Sequence, residues 1–203
     1  MNQDKAWLEI ERAPMIGRVA IALKPVVGRL GIVVNDANPQ LERYREFAAS
    51  CGAILIPDLR DHRGPLGGIY SALTHCARGE AALILACDLP FITTEFLSFL
   101  GGVHRRSNSQ PLSRTIGANS QSVTVPLDSS NRLQPLAAIY DRSALAPVEQ
   151  MLAANELKVD RLYSRVATRQ VGFGEFARLS GAEKFFLNIN TPEEYRSVLS
   201  ERF

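Results

Sequence analysis

The sequence predicts an α/β protein with a doubly wound, mostly parallel sheet, and three observations carry the prediction. Short apolar, often β-branched runs recur along the first half of the chain, segments with three-and-four apolar spacing alternate with them, and each run ends on a polar residue. Strand, helix, strand, helix, strand is the pattern of βαβ units, whose ligands bind outside the carboxyl ends of the strands.

Taken in order, residues 15–27 place Ile16, Val19, Ala20, Leu23, Val26 and Val27 at helical spacing, with Gly28 as a stop. Residues 30–35, LGIVVN, read as a buried parallel strand that delivers Asn35. A helix over residues 39–51 follows, with Asn38 as cap, Pro39 in the first turn and Gly52 closing it. The strand AILIP delivers Asp58, the polar loop DHRGPLGG leads into the helix IYSALTHCA, and the strand AALILAC ends on Asp88. Residues 105–121, rich in Ser, Asn and Gln, read as a loop over the face where these strands end. SVTVP and LAAIY read as a hairpin, residues 144–154 as a helix, and ATRQVGF and FFLNI as short strands. Thr191-Pro192-Glu193-Glu194 then caps a last helix.

With 203 residues, of which 46% are hydrophobic and 22% charged, the chain has the balance of one globular domain, 1–203. A net charge of +2 is too small for a nucleic-acid or membrane footprint. Cys51, Cys76 and Cys87 show no metal-ligand spacing, and buried thiols in a reducing compartment are the simpler reading. No run of about 18 apolar residues occurs and the start lacks a signal-peptide core, so a cytoplasmic location is expected. His62, His75 and His104 form no pair with ligand spacing.

Asn35, Asp58 and Asp88 would therefore line one sheet edge. A carboxylate at the mouth of an apolar strand suits a hard divalent cation, and Pro90 turns the chain away and leaves room. Turn-forming or capping is the competing role for each of the three.

RGPLGGIYSAL, LILACDLPF, QPLAAIY and FLNINTPEEY together resemble, in order and spacing, the molybdenum cofactor guanylyltransferase family. The resemblance implies a Rossmann-like nucleotidyltransferase fold and transfer of GMP from GTP to molybdopterin, dependent on Mg2+ and releasing pyrophosphate. It implies Asp88 as ligand of magnesium and nucleotide, and Lys5, of MNQDKAWL, as support for the triphosphate. Asn35 and Asp58 would contact the nucleotide, and Gly64 and Gly67 would let backbone approach the base. Gln134, after Arg132, and Asn188 and Asn190 would lie toward the pterin. Molybdenum enzymes or their chaperones would be partners for the product.

Members of that family open with a strand and a glycine-rich loop ahead of the stretch that matches Met1 to Lys5, and the resemblance places both upstream of this sequence. On that reading two strand edges go unpaired and backbone donors to the phosphates are lost. Two alternatives stay open: a related nucleotidyltransferase that uses CTP or another nucleotide, and a non-catalytic nucleotide-binding or adaptor homologue.

Overall fold

The structure, a computed structural model, describes residues 4–60, 63–109, 122–189 and 194–195. It opens with a 3-10 turn at Lys5–Trp7 and a two-residue hairpin of β1 (Glu9–Ile10) and β2 (Ala13–Pro14), whose turn holds Glu11 and Arg12 at φ of 50° and 67°. Then follow α1 (Met15–Leu23), β3 (Gly31–Val34), α2 (Leu41–Cys51), β4 (Ile54–Pro57), α3 (Gly64–Thr74) and β5 (Ala81–Leu85). The second half holds α4 (Thr94–Ser109), β6 (Val123–Pro126), β7 (Ala137–Asp141), α5 (Leu145–Ala153) and β8 (Thr168–Val171).

The α/β alternation is as the sequence predicts. β3 and β4 pair in parallel, and β6 pairs in parallel with β8, while β7 runs antiparallel to both β5 and β6. The β6–β7 hairpin is present, and its long connection is folded back by a bridge between Leu127 and Leu133 and by Asp128. Asp128 accepts the backbone N–H groups of Ser130 and Arg132, the Arg132 guanidinium at 2.8 Å and the Gln134 amide at 3.1 Å. Burial pushes this carboxyl up, but those donors outweigh it and hold the Asp128 pKa below the usual range.

Several expected elements differ. The first helix ends at Leu23, where the backbone tightens into a turn with Val26 N–H donating to Leu23 C=O. The second begins at Leu41, because the Asn38 side chain accepts the Gln40 N–H at 2.8 Å and forms a turn ahead of the helix. α3 starts at Gly64, with Pro65 in its first turn, so half of the predicted polar loop is helical. Residues 105–109 belong to α4; the rest of the loop predicted over 105–121 lies outside the described residues. Residues 185–189 form no strand: they follow a 3-10 turn at Ala182–Lys184 and bury Phe185 and Ile189 without a ladder. Asn190 and the predicted Thr191 cap lie outside the described residues.

Burial gives the largest departure. β3 and β5, read from sequence as fully buried, are only half-buried, whereas β6 and most of β7 are buried throughout. The cause is topological. β3 joins only β4, β5 joins only β7, and among the described residues nothing pairs with the second edge of either. Between those edges lies an open slot of about 1280 Å³. α1 lines it with Val19 and Leu23, and α3 lines it with Gly64, Gly68 and Ala72.

The core forms on both faces of β5. Leu83 and Leu85 pack with α1, α4 and an aromatic group of Phe96, Phe176 and Phe185; Ala82 and Ile84 pack with α3 and α5 through Leu66, Ile69 and Leu73. Alternate side chains of a strand point to opposite faces, so α1 and α3 cover opposite sides. His104 is buried between Thr124 Oγ1, 2.8 Å from its Nδ1, and Asp141 Oδ1, 3.3 Å from its Nε2, which makes it a structural link from α4 to the sheet. No helix among the described residues is long and apolar enough to cross a membrane.

Asp128→Asn tests the turn. The Asp128 carboxylate is favoured in the folded chain, so its contribution is present above the unfolded pKa of about 3.9 and lost as pH falls through the lower folded value. Urea unfolding at pH 7 is expected to show a loss of about 1.5–3 kcal/mol in the variant, the range for hydrogen bonds to a charged group. The difference should shrink at pH 3 and below.

Candidate active site

Three strand ends meet at one rim. Asn35 follows β3, Asp58 follows β4, and Asp88 lies three residues beyond β5. Asp58, Gly64 and Asp88 all line the wall of the slot, which brings the carboxylates of two separate sheets to the same opening.

Asp88 is half-buried. Burial raises its pKa, while its own backbone hydrogen bond and the nearby Lys5 ammonium pull the other way without cancelling the rise. The strand places it so: five apolar residues of β5 run along the sheet, and the chain turns at Leu89 and Pro90, which are buried. Beside it Cys87 has its thiol pushed up to about 11, chiefly by burial and then by the charges of Asp88 and Asp4. A thiol of that kind is neutral at pH 7 and is no nucleophile.

Lys5 reaches this neighbourhood because the 3-10 turn that carries it is anchored on both sides. Asp4 caps the turn, accepting the Ala6 N–H at 3.2 Å, and also accepts the Tyr44 hydroxyl at 2.9 Å. Trp7 packs on Tyr44 and Phe47 with ring centroids 4.9 and 5.8 Å away, and the Arg43 guanidinium lies 4.2 Å over its ring. Asp4 and Tyr44 anchor the turn that carries Lys5, and the sequence reading passed over both. An acid and an aromatic 40 residues apart give no local signal.

Asp58 is held by Ser71, a buried hydroxyl on α3 that the sequence reading also passed over. Ser71 Oγ lies 3.1 Å from Asp58 Oδ1 and 3.0 Å from the Gly67 carbonyl, and it accepts the Leu59 N–H at 2.9 Å. Gly67 has a backbone reason: a Cβ there would stand 2.8 Å from the Arg60 carbonyl oxygen. What comes close to Gly67 is thus the protein's own chain. Gly64 sits at φ +58° at the start of α3, where a side chain would be strained.

The remaining residues fall into two groups. Asn35 accepts the Ala37 N–H at 2.7 Å and so shapes the turn after β3, at the rim with Asp58. Gln134 is engaged by Asp128, yet it stands at the same end of the sheet, because Ala86 donates to Leu136 at 2.9 Å. Asn188 is exposed and next to Ile189, which packs with Phe91.

A carboxylate and a lysine gathered at the strand ends of an α/β sheet are the kind of groups that can act on phosphates through charge and position. The comparisons specify the class. The family described as MobA-like NTP transferase domain matches residues 1–170, and the chain belongs to that family. It is a nucleotidyltransferase. A protein of Pelotomaculum thermopropionicum named as a probable molybdenum cofactor guanylyltransferase is 31% identical over 194 residues, covering 96% of this chain and 83% of that protein. A protein of the same name from Clostridium perfringens is 30% identical over 203 residues, covering 98% and 89%. The crystal structure of molybdopterin-guanine dinucleotide biosynthesis protein A from Archaeoglobus fulgidus superposes with a TM-score of 0.75 at 20% identity, over 97% of this chain and 89% of that one, a likeness of fold.

Two outcomes test this geometry. Lys5→Ala removes the cation that lowers the Asp88 pKa, so NMR titration of the Asp88 carboxyl should give a higher midpoint in the variant than in the parent chain. Gly67→Ala should destabilise by about 1–3 kcal/mol in urea unfolding, because the Arg60 backbone must move to admit a methyl group.

Proposed function

We propose that the chain transfers GMP from GTP to molybdopterin. A phosphate oxygen of molybdopterin forms the new bond to the α-phosphorus of GTP, the bond from that phosphorus to the β-phosphate oxygen breaks, and pyrophosphate leaves with the electron pair. The observation that carries the reading is the placement of Asp88 and Lys5 together at the end of β5, at the rim that also holds Asp58. The relatives from Pelotomaculum and Clostridium are named as probable molybdenum cofactor guanylyltransferases, which supports this choice of substrates.

Among the described residues no three His, Cys, Asp or Glu side chains gather as a metal cage. Magnesium keeps waters and substrate phosphates as ligands and needs only one or two carboxylates from the protein. Asp88 would hold it, and the bound ion would neutralise phosphate charge. Lys5 would contribute to the same end as a point charge. Asp58 and Asn35 would position the nucleotide, Gln134 and Asn188 would lie toward the acceptor, and Gly64 would keep the base side of the rim clear.

Pyrophosphate release from GTP in the presence of molybdopterin and Mg2+ is the assay, with CTP as competitor to assign the base. Asp88→Asn is nearly isosteric at a strand end, so the fold should persist while turnover falls by about 100-fold or more. Because burial keeps the metal-free Asp88 carboxyl protonated to higher pH, proton and metal should compete there, so the Mg2+ concentration needed for half-maximal turnover should rise as pH falls. Turnover unchanged by Asp88→Asn would instead favour a nucleotide-binding or adaptor role.

A further inference from the structure

We propose that Arg18 is a positioning residue, whose guanidinium fixes the turn that carries Asp88 against the hairpin that follows Lys5. The placement stands on the fold alone; only its effect on turnover rests on the proposed transfer.

The turn after β5 is weakly held by its own backbone. Leu89 N–H donates to Ala86 C=O and Ile92 N–H to Leu89 C=O, each at 3.4 Å, beyond the usual range of about 2.7–3.2 Å. Pro90 has no N–H to add. Leu89 and Ile92 pack into the core, but apolar contact is non-directional. The direction of the turn that bears Asp88 is therefore set from outside.

α1 reaches this segment at two points. Thr94 Oγ1 donates to the Ala22 carbonyl at 3.0 Å and ties down the start of α4. Nearer to Asp88, Arg18 Nε donates to the Pro90 carbonyl at 3.1 Å, across 72 residues of sequence. The same guanidinium also faces the hairpin: Nη1 donates to the Ile10 carbonyl at 3.4 Å and to Glu11 Oε2 at 2.7 Å. Glu11 stands in the left-handed region at φ 50°, uncommon for a glutamate, and the ion pair gives that tight turn an attachment. One planar group thus joins α1, the β1–β2 turn and the turn after β5.

The hairpin leads back to Lys5 within a few residues. The 3-10 turn at Lys5–Trp7 ends at Leu8, whose carbonyl accepts the Met15 N–H at 2.9 Å. Leu8, Ile10 and Met15 are buried together with Ile189, and Phe91, the residue after Pro90, packs against them. Packing brings the two segments together, and the guanidinium fixes their register. A direct phosphate contact suits Arg18 less well. A guanidinium grips a phosphate through a pair of nitrogens, and each such pair here includes one already engaged. Only 25% of the side chain is exposed.

The test compares Arg18→Met with the parent chain by NMR relaxation. Backbone order parameters at Asp88, Leu89 and Phe91 are expected to fall from about 0.85, the rigid range, to about 0.6, with α1 and β5 unchanged. In the pyrophosphate assay kcat should fall about 10-fold or more while the KM for GTP stays within about 3-fold, because misplacement acts on the transition state. Lys5→Ala should cost less in the Arg18→Met background than in the parent, since both changes act on one geometry. Should Arg18→Met fail to fold, Arg18→Lys takes its place with the same expectations, for it keeps the charge beside Glu11 and lacks a second donor for Pro90. Order parameters equal to the parent's would overturn the proposal, as would loosening spread through α1 and β5. In an active parent chain, an unchanged kcat or a loss confined to KM would do the same. A parent chain that releases no pyrophosphate would sink the transfer reading instead, and the order parameters would still decide for or against the strap.

Discussion

Five residue pairs, from Ala81 with Asp141 to Leu85 with Ala137, tie β5 to β7, and the remainder of the second sheet depends on that ladder. β7 is buried and is held on its other side by β6, which pairs in turn with β8. Because β5 and β7 are antiparallel, the end of one lies beside the start of the other, so the release of Asp88 and the approach of Gln134 are consequences of one register. Side chains alternating along β5 knit two apolar clusters, one against α1 and α4 and one against α3 and α5. Full burial of a Leu or Ile contributes about 1.5–3 kcal/mol, and the half-buried side chains of β5 gain part of that. The strand that carries the candidate metal ligand thus has cores on both sides, as β7 does.

β3 and β4 share none of that backbone ladder with β5. They are joined to it by packing, through α3, which lies against β3, β4 and β5. Ser71 makes the same link in polar form: one hydroxyl on α3 holds Asp58 on the far side of the slot from Asp88. The separation of the two carboxylates is therefore set by side-chain packing across an opening.

The elements with local signals were legible in the sequence. β3, β4, β5, the β6–β7 hairpin, α5 and β8 all lie where apolar runs and helical spacing put them, and Asn35, Asp58 and Asp88 follow their strands as read. Gly52 closes α2 at φ +74°, as a glycine stop should. What misled was apolarity without context. FFLNI reads as a strand by composition, yet its phenylalanines serve an aromatic cluster with Phe96 and Phe176. LGIVVN and AALILAC read as buried, and their sequences are those of buried strands, but burial belongs to neighbours and not to the run itself. The sites of Asp4, Tyr44 and Ser71 were illegible for the same reason, since each acts through a partner distant in the chain.

Motif resemblance and physical role agree to different degrees at different residues. At Asp88 they coincide: an acid released from an apolar strand is half-buried, and the lysine that the resemblance selects is the cation that acts on it. At Gly67 the motif is explained by the Arg60 carbonyl, and at Gln134 by the Asp128 turn. A glycine or an amide can be required for the fold and still stand at a ligand's edge. Lys5 shows the reverse dependence. A single lysine near the start of a chain would ordinarily be a mobile surface charge, and its side-chain entropy works against any fixed role. Here Trp7 between Tyr44, Phe47 and Arg43, with Asp4 capping the turn, fixes the backbone before the ammonium is placed. The turn that carries the Lys5 charge is thus anchored by an aromatic cluster.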